Sequence, residues 1–331
     1  MAEKRSFVLD RFLKKAAPFM SLLLMVVLLT LLSPYFLTLD NLTAIALQMS
    51  VVAIMAIGQM LVIISAGIDL AAGSVMAFSG VVAALMMSQG FGIWPAIIAG
   101  LLAGLACGLF SGVLIAKGHL PPFIATLGMM GIGRGLALLL TGGKAVFGLP
   151  QSFSILGGGR IADLAPGWID RLAGGVPIPV LFTIVLAVVF HLLLTRLPFG
   201  RHIYAIGSNP AAAKLSGIQV PQNLIKIYAL NGLLCGFAGI VSASRLSTGQ
   251  PTAGTGAELD VIAACVIGGA SLSGGEGTIL GAMIGALIMG VLRNGCNLLD
   301  IPDFWQRIAI GIIIIAAVFS DQYRKHQNKK I

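Results

Sequence analysis

Long apolar runs recur along the whole chain and alternate with short polar or Gly- and Pro-containing breaks. A helix needs roughly 20 apolar residues to cross a bilayer, and most of these runs reach or approach that length. The runs comprise residues 16–37, 42–66, 70–88, 91–116, 123–141, 177–195, 223–246, 258–272, 277–297 and 304–320. This pattern predicts an all-α integral membrane protein, a polytopic bundle of about ten transmembrane helices with interrupted segments.

The composition supports a membrane environment. Hydrophobic residues make up 57% of the 331 positions and charged residues only 10%, and the mean hydropathy is +0.99. A water-soluble domain of this composition would lack the polar residues that its surface needs. A net charge of +9 would suit a nucleic-acid binder, but the basic residues are confined to the tails and connections, as in cytoplasmic loops. We therefore expect membrane lipid around this chain and no nucleic acid.

The distribution of Lys and Arg also predicts the orientation of the chain. It places both termini in the cytoplasm, with residues 1–15 and 321–331 as tails on either side of a single transmembrane domain, 16–320. The basic loop 196–222 lies on the cytoplasmic side, whereas the long loop 142–176 lies outside. The basic N-terminal tail precedes an apolar run that is too long for a signal-peptide core, so we expect it to remain as the first spanning helix.

The sequence carries no signature of catalysis. The stretch Leu272–Glu276, LSGGE, resembles a nucleotide-contacting motif of ABC ATPases, but such a domain also requires a phosphate loop with Gly-Lys-Ser/Thr, and Gly143-Lys144 is followed by Ala145. No nucleophile–base cluster, paired carboxylates or metal-ligand spacing is present, so we expect no catalytic residue and no metal site. The isolated cysteines are interpreted as small packing residues: Cys107, Cys235, Cys265 and Cys296.

One acid interrupts the apolar part of the chain. Asp69, in the stretch SAGIDLAAGS, is the only charged residue between Asp40 and Lys117. Since the run from Leu42 to Ser65 already exceeds the bilayer thickness of roughly 30 Å, Gly67 to Asp69 should emerge near the cytoplasmic face. There the carboxylate would meet the free N–H groups of the next helix. We therefore interpret Asp69 first as a helix cap, which is compatible with a role in a gate.

A second break resembles the first. Residues 270–278, ASLSGGEGT, are again rich in Gly and carry one acid between two apolar runs. Interrupted hydrophobic segments of this kind are typical of a transport pathway. The Gly- and Ala-rich runs at 99–112 and 281–290 predict a tightly packed bundle, because small residues let helices approach closely.

Polar side chains inside the apolar runs should face the bundle, because exposing them to lipid is costly. Each of them suits either an interhelical hydrogen bond, the commoner role, or a contact with a transported solute. The candidates for a pathway or gate are Gln48, Gln59, Ser65, Asp69, Arg134, Asn231 and Asn294. Arg134 has the greatest need of a partner, because a charged side chain is costly inside the membrane. Glu258, Asp260 or a backbone carbonyl would each suit it.

The cytoplasmic loop contains the signals of a short helix. Ser208 or Asn209 suits its N-cap, Pro210 its first position, and Gly217 its exit. The Ala-rich segment between them favours helix formation over about two turns.

At this loop the sequence resembles the ribose-type sugar ABC importer permeases. Residues 207–218, GSNPAAAKLSGI, look like the coupling segment of that family, and SAGIDLAAGS, PPFIATLGMMGIGRGLALLLTGG (121–143) and GAELDVIAACVIGGASLSGGEGT (256–278) resemble its other motifs in the same order. The resemblance covers nearly the whole chain. Ala71, Ala72, Ala211 and Ala257 depart from the residues usual in the family.

The resemblance implies a catalytically silent permease subunit in the bacterial inner membrane that translocates a monosaccharide. Its implied partners are a second permease copy or homologue, a cytoplasmic ATPase and an extracytoplasmic sugar-binding protein. No cofactor is expected on this chain, because ATP and Mg²⁺ would bind to the ATPase. The residues implied in ATPase coupling are Ser208, Asn209, Pro210, Ala212, Ala213, Lys214, Leu215 and Gly217.

The predicted outer side supplies candidates for docking the binding protein. By the topology, the ends of the runs that carry Arg245, Gln250 and Arg293 face outward, where basic groups can pair with acids on a partner.

Two other functions remain open at this point. An ion-coupled secondary transporter would need acids near mid-membrane, and an ABC permease for branched-chain amino acids would need a different lining for its charged substrate.

Overall fold

The computed structural model describes residues 18–160, 163 and 175–328. Helices dominate these residues, and two isolated β-bridges join Val146 to Gly249 and Arg160 to Pro177. The predicted N-terminal tail, 1–15, and residues 164–174 of the predicted external loop lie outside the described part of the chain.

We number the helices in chain order. They are α1 (Pro18–Leu32), α2 (Leu39–Ile64), α3 (Ala72–Ser88), α4 (Ile93–Ala116), α5 (Pro122–Thr141), α6 (Ile155–Gly158), α7 (Ile178–Arg196), α8 (Pro198–Ser208), α9 (Pro210–Leu215), α10 (Val220–Leu246), α11 (Ala257–Ile267), α12 (Ile279–Leu298) and α13 (Asp303–Asn328). A 3₁₀ turn, Gln151–Ser154, precedes α6.

Six of these helices are long and apolar enough to cross a membrane, namely α2, α4, α5, α7, α10 and α12. The prediction of a helical membrane protein is therefore confirmed, whereas the count of ten crossings and the side of the termini stay predictions. Helix α11 has 11 residues, which at 1.5 Å per residue reach only about half the hydrocarbon thickness. Helix α13 continues to Asn328 instead of ending at 320, because no Gly or Pro follows Gly311.

Helix α2 is the central element of the bundle. Its second half, from Ala53 to Ile64, is buried on every side. It packs against α7, α10, α11 and α12. A helix that is apolar all round is expected at such a central position.

Helices α4 and α10 meet along a glycine seam. Gly100, Gly104, Gly108 and Gly112 recur every four residues and therefore share one face of α4. A Cβ atom on Gly104 or Gly108 would overlap backbone atoms of α10. The predicted close packing through small residues is confirmed at this seam, and Gly268 and Gly281 make a similar contact between the end of α11 and the start of α12.

The two breaks between helices, 65–71 and 268–278, lie against each other, since Gly274 packs closely against Ala66. The backbone N–H of Gly275 donates to the carbonyl of Ile64, the last residue of α2, at 2.8 Å. We call this end of the bundle, where α2 ends and α10 begins, the junction end. The opposite end, where α2 begins and α10 ends, is called the cavity end.

Candidate functional site

A cavity of about 580 Å³ opens at the cavity end between α2, α10, α11, α12 and α13. Its volume falls within the range of small-molecule sites, roughly 300–1,000 Å³. Apolar side chains such as Met55 and Ile310 form part of its wall. The polar lining residues are Gln48, Ser242, Arg245, Gln250, Thr252, Thr255, Asp260, Arg293 and Arg307. Amide, hydroxyl, guanidinium and carboxylate groups together donate and accept hydrogen bonds, which is what a ligand with several hydroxyls requires.

Two of the three lining arginines are paired with acids. Arg293 Nη2 lies 2.6 Å from Asp260 Oδ2, and Arg307 Nε lies 2.9 Å from Asp303 Oδ2. Arg245 Nη1 instead donates to the backbone carbonyl of Leu47, at 3.3 Å. The guanidinium of Arg245 therefore adds positive charge to the cavity that no acid neutralises within the described residues.

Arg134 positions the loop that forms one wall of the cavity. Its Nη1 donates to the carbonyl oxygens of Pro251 and Ala253 at 2.6 and 2.8 Å. Of the three partners that the sequence left open, the backbone carbonyl is the one observed. Because Ala253 and the threonines on either side of it line the cavity, Arg134 supports the wall from α5 without lining it.

Asp69 is bound to Asn231 in the interior of the bundle. Asp69 Oδ2 accepts from the side-chain amide of Asn231 at 2.7 Å, and Oδ1 accepts from the backbone N–H of Ala71 at 2.7 Å. The acid therefore contacts the start of α3 as predicted, but the N-cap residue itself is Ala71. Both candidate residues lie away from the cavity lining.

The position of Asp69 along the bundle follows from its partner Asn231, whereas its depth in the bilayer stays a prediction. Asn231 is the twelfth residue of α10, about 17 Å from the helix start at 1.5 Å per residue. The chain reverses at Ala66, whose φ is 64°, and the N–H of Gly67 returns to bond the carbonyl of Val62. The expectation from helix length did not include this reversal, which carries Asp69 back along the last turn of α2.

The other pathway candidates are held within the bundle. Asn294 exchanges two amide hydrogen bonds with Asn41, at 2.7 and 3.0 Å. Ser65 donates to the carbonyl of Val62 at 2.8 Å, within its own turn. Gln59 is fully buried, and its amide finds no hydrogen-bond partner in the described residues. Of the seven candidates, only Gln48 lines the cavity.

The predicted short helix is present as α9. Asn209 is its N-cap, since the side-chain oxygen accepts from the N–H of Ala212 at 3.0 Å, and Pro210 occupies the first position. Gly217 follows with a φ of 83°, a conformation that suits glycine. Leu215 projects from this helix with 91% of its surface exposed. Of the other coupling candidates, Ser208 ends α8, Ala213 is buried, and Ala212 and Lys214 are exposed.

The three docking candidates lie together in the cavity lining. Arg245, Gln250 and Arg293 come from α10, the following loop and α12, and all three border the cavity alongside Gln48. The sequence assigned Gln48 and these residues to separate roles, whereas the fold places them at one site.

Sequence reasoning missed several residues of this site. Thr252 and Thr255 lie in the polar stretch STGQPTAGTG between two apolar runs. This polar stretch was the feature of the sequence that could have indicated them. Helix α8 was also missed, although Gly200, Ile203 and Ile206 recur every three residues as a buried stripe after Pro198.

Comparison with known proteins gives the family. A family model described as branched-chain amino acid transport system / permease component matches residues 41–318. The ribose import permease protein RbsC of Escherichia coli strain K12 is 44% identical over 326 residues, covering 97% of this chain and 98% of the relative. RbsC of Haemophilus influenzae is 41% identical over 323 residues, covering 97% of each chain.

A relative named for another sugar is nearly as similar. The L-arabinose ABC transporter permease protein AraH of Azospirillum brasilense is 40% identical over 301 residues, covering 91% of this chain and 85% of the relative. No solved structure gives a significant match. The chain therefore belongs to the branched-chain amino acid transport system / permease component family, within which it is similar to permeases named for sugars.

Proposed function

We propose that this chain is the membrane subunit of an ATP-driven ABC importer that translocates a monosaccharide delivered by an extracytoplasmic binding protein. The observation that carries this proposal is the similarity of 41–44% over 97% of the chain to ribose import permeases. The six long apolar helices support a multi-pass location in the bacterial inner membrane.

The cavity supports a hydroxyl-rich substrate. Its threonines, glutamines and the Arg293–Asp260 pair offer donors and acceptors without a dominant cluster of one charge. A neutral sugar needs such distributed hydrogen-bonding groups. We assign the first contact of the sugar with this chain to the cavity, between Gln48 on α2 and Gln250 on the loop after α10.

The proposed orientation places the junction end in the cytoplasm and the cavity end outside. Basic residues near the junction end, such as Lys117, Arg201 and Lys214, support this direction by the positive-inside rule. Both termini are then cytoplasmic after about ten crossings, with the short α11 spanning part of the membrane.

The proposed contact with the ATPase is α9. An apolar side chain as exposed as Leu215 on a capped helix is suited to insert into a pocket of a partner. ATP and Mg²⁺ bind to that partner, and this chain carries no cofactor and no catalytic residue. A second copy of this chain or a homologue completes the membrane part.

The binding protein docks at the cavity end in this proposal. Arg245, Gln250 and Arg293 would then contact it while also bordering the cavity that receives the sugar. The uncompensated guanidinium of Arg245 is the best placed of the three to attract an acidic residue of the partner.

Purification of the tagged chain from its native membrane, with identification of the proteins and solute that accompany it, tests this function. We expect an ABC ATPase to copurify, together with a binding protein that holds a monosaccharide. A binding protein that holds a branched-chain amino acid would refute the sugar assignment, and the absence of any ATPase would refute the importer itself.

A further inference from the structure

Helices α8 and α9 are joined without a flexible linker. Only Asn209 separates them. Its backbone N–H donates to the carbonyl of Ala205 in α8 at 3.0 Å, while its side chain accepts from the N–H of Ala212 in α9 at 3.0 Å. Asn209 therefore completes one helix and caps the next, so that a displacement of α9 is passed to the end of α8.

The last two turns of α8 contact the 268–278 break and the end of α2, from which the 65–71 break continues. Tyr204 Oη donates to the carbonyl of Gly277 in the 268–278 break at 2.7 Å. The Tyr204 phenol is protonated at neutral pH and able to donate, and burial raises its pKa further. Three residues further on, Gly207 lies so close to the carbonyl of Ile64 and the N–H of Gly275 that a Cβ atom would overlap both.

The buried face of α8 fixes this contact in place. Ile203 and Ile206 are 0% and 2% exposed and belong to the core of the bundle. The end of α8 is thus packed from the inside by apolar side chains and bonded to the second break through Tyr204. The end of α8 can therefore move only if the Tyr204–Gly277 hydrogen bond and the close packing of Gly207 change.

Each break leads to a helix that borders the cavity. The 65–71 break continues into α3, which places Met76 in the cavity wall, and it carries Asp69, which is bonded to α10. The 268–278 break continues into α12, which places Gly290 and Arg293 in the same wall. One short helix therefore contacts the segment that leads into α12 and the end of α2, from which the other break leads into α3.

We propose that Tyr204 and Gly207 are positioning residues that pass the movement of α9 to the 268–278 break and to the end of α2, and so couple ATP hydrolysis to the opening of the junction end. This inference rests on the proposed function, because it takes α9 as the docking site of the ATPase. The two contacts hold α8 against the 268–278 break and the end of α2 while the junction end is closed, and they change when the ATPase moves α9.

The first test removes only the tyrosine hydroxyl. In Tyr204→Phe the ring still fills its place, so the fold and the ATPase contact are retained. We expect the amount of sugar imported per ATP hydrolysed to fall by about two- to tenfold, the change in an equilibrium that one hydrogen bond typically supports. The measurement uses the complete importer in proteoliposomes at matched protein abundance. Tyr35→Phe is the matched control, since Tyr35 is 69% exposed at the other end of the bundle.

The second test displaces the end of α8. Gly207→Ala introduces a Cβ atom that overlaps the backbone of Ile64 at the end of α2 and of Gly275 in the 268–278 break, so we expect a greater fall in sugar imported per ATP while the ATPase still copurifies. If this variant fails to accumulate, Tyr204→Phe alone decides the question. A wild-type import ratio in Tyr204→Phe would overturn the proposal, as would an equal fall in Tyr35→Phe.

The outcome separates this inference from the proposed function. If the wild-type complex imports no monosaccharide or lacks an ATPase, the proposed function fails before any variant is compared. If the wild type imports sugar normally and Tyr204→Phe does the same, only the coupling role of α8 is refuted.

Discussion

Asp69 shows how one acid is stabilised inside an apolar bundle, where no basic side chain among the described residues pairs with it. Its two oxygens accept from the N–H of Ala71 and the amide of Asn231. The sequence identified both Asp69 and Asn231 as interior residues but did not pair them, because they are 162 positions apart. Likewise Asn294 was identified as interior but its partner Asn41 was not, since local patterns indicate that a polar residue faces inward but not which residue it meets.

Replacement of Asp69 by Asn or by Ala distinguishes hydrogen bonding from charge. Asn retains an oxygen for the N–H of Ala71, and the amide of Asn231 can turn so that its oxygen accepts from the new side chain. Ala leaves both donors unpaired, at a cost of about 1–3 kcal/mol for each buried group. We expect Asp69→Asn to retain most sugar uptake and Asp69→Ala to lose it, as measured at matched membrane abundance.

Equal loss of uptake in the two Asp69 variants would contradict the hydrogen-bonding account. It would show that the negative charge itself is required, as an ion-coupled transporter would need. The unfolding temperature in detergent provides a second readout, which should fall further for Asp69→Ala than for Asp69→Asn.

Among the elements, α9 was predicted in detail because its signals are local. A cap at Asn209, Pro210 at the first position and Gly217 after the end determine the helix without reference to distant residues. Helix α8 was missed because Pro198 and Gly200 read as loop residues, and its buried stripe becomes stable only against the core. The reversal at Ala66 was missed because an alanine, instead of the usual glycine, adopts the positive φ there.

Leu215→Asp tests the role of α9. Because Leu215 is 91% exposed, the substitution should leave the unfolding temperature of the isolated chain unchanged. We expect it to abolish copurification of the ATPase, or to uncouple ATP hydrolysis from uptake, since a charge replaces the apolar side chain that enters the partner. Gln219→Asp adds the same charge to an exposed position of the same loop and should be neutral. Normal coupled uptake by Leu215→Asp would exclude this docking site.

The glycine seam between α4 and α10 makes a prediction about stability. In Gly108→Ala the new methyl group would overlap the backbone of α10 at Tyr228 and Gly232, which should cost about 1–3 kcal/mol of unfolding free energy. Gly128→Ala on α5 is the matched control, because nothing lies within 4 Å of its Cβ position. Thermal unfolding in detergent should separate the two variants, and an equal effect would show that the seam is not tightly packed in solution.

For the whole molecule, the fold brings together groups that the sequence assigned to different roles. The all-helical membrane class followed from the apolar runs, but the cavity did not, because it is formed by helices that begin at residues 39, 220, 257, 279 and 303. Gln48 and Arg245 thus belong to one site that faces the proposed position of the binding protein.

Neutralising Arg245 tests that arrangement. We expect Arg245→Gln to raise the Kd of the binding protein about two- to fivefold at low salt, the effect of a rim ion pair worth roughly 0.4–1 kcal/mol. The difference should shrink at high salt as screening increases. Arg160→Gln removes the same charge from an exposed position on the predicted external loop, away from the cavity lining, and should leave the Kd unchanged. An unaltered Kd for Arg245→Gln at low salt would remove Arg245 from the docking surface.

The most direct test of the central claim is sugar uptake by proteoliposomes that contain this chain, its ATPase and its binding protein. We predict that a radiolabelled monosaccharide accumulates only when ATP is supplied on the side of α9 and the binding protein on the opposite side, and that ionophores leave the rate unchanged. Accumulation driven by an ion gradient without ATP, or the failure of every monosaccharide to accumulate with all components present, would contradict the account.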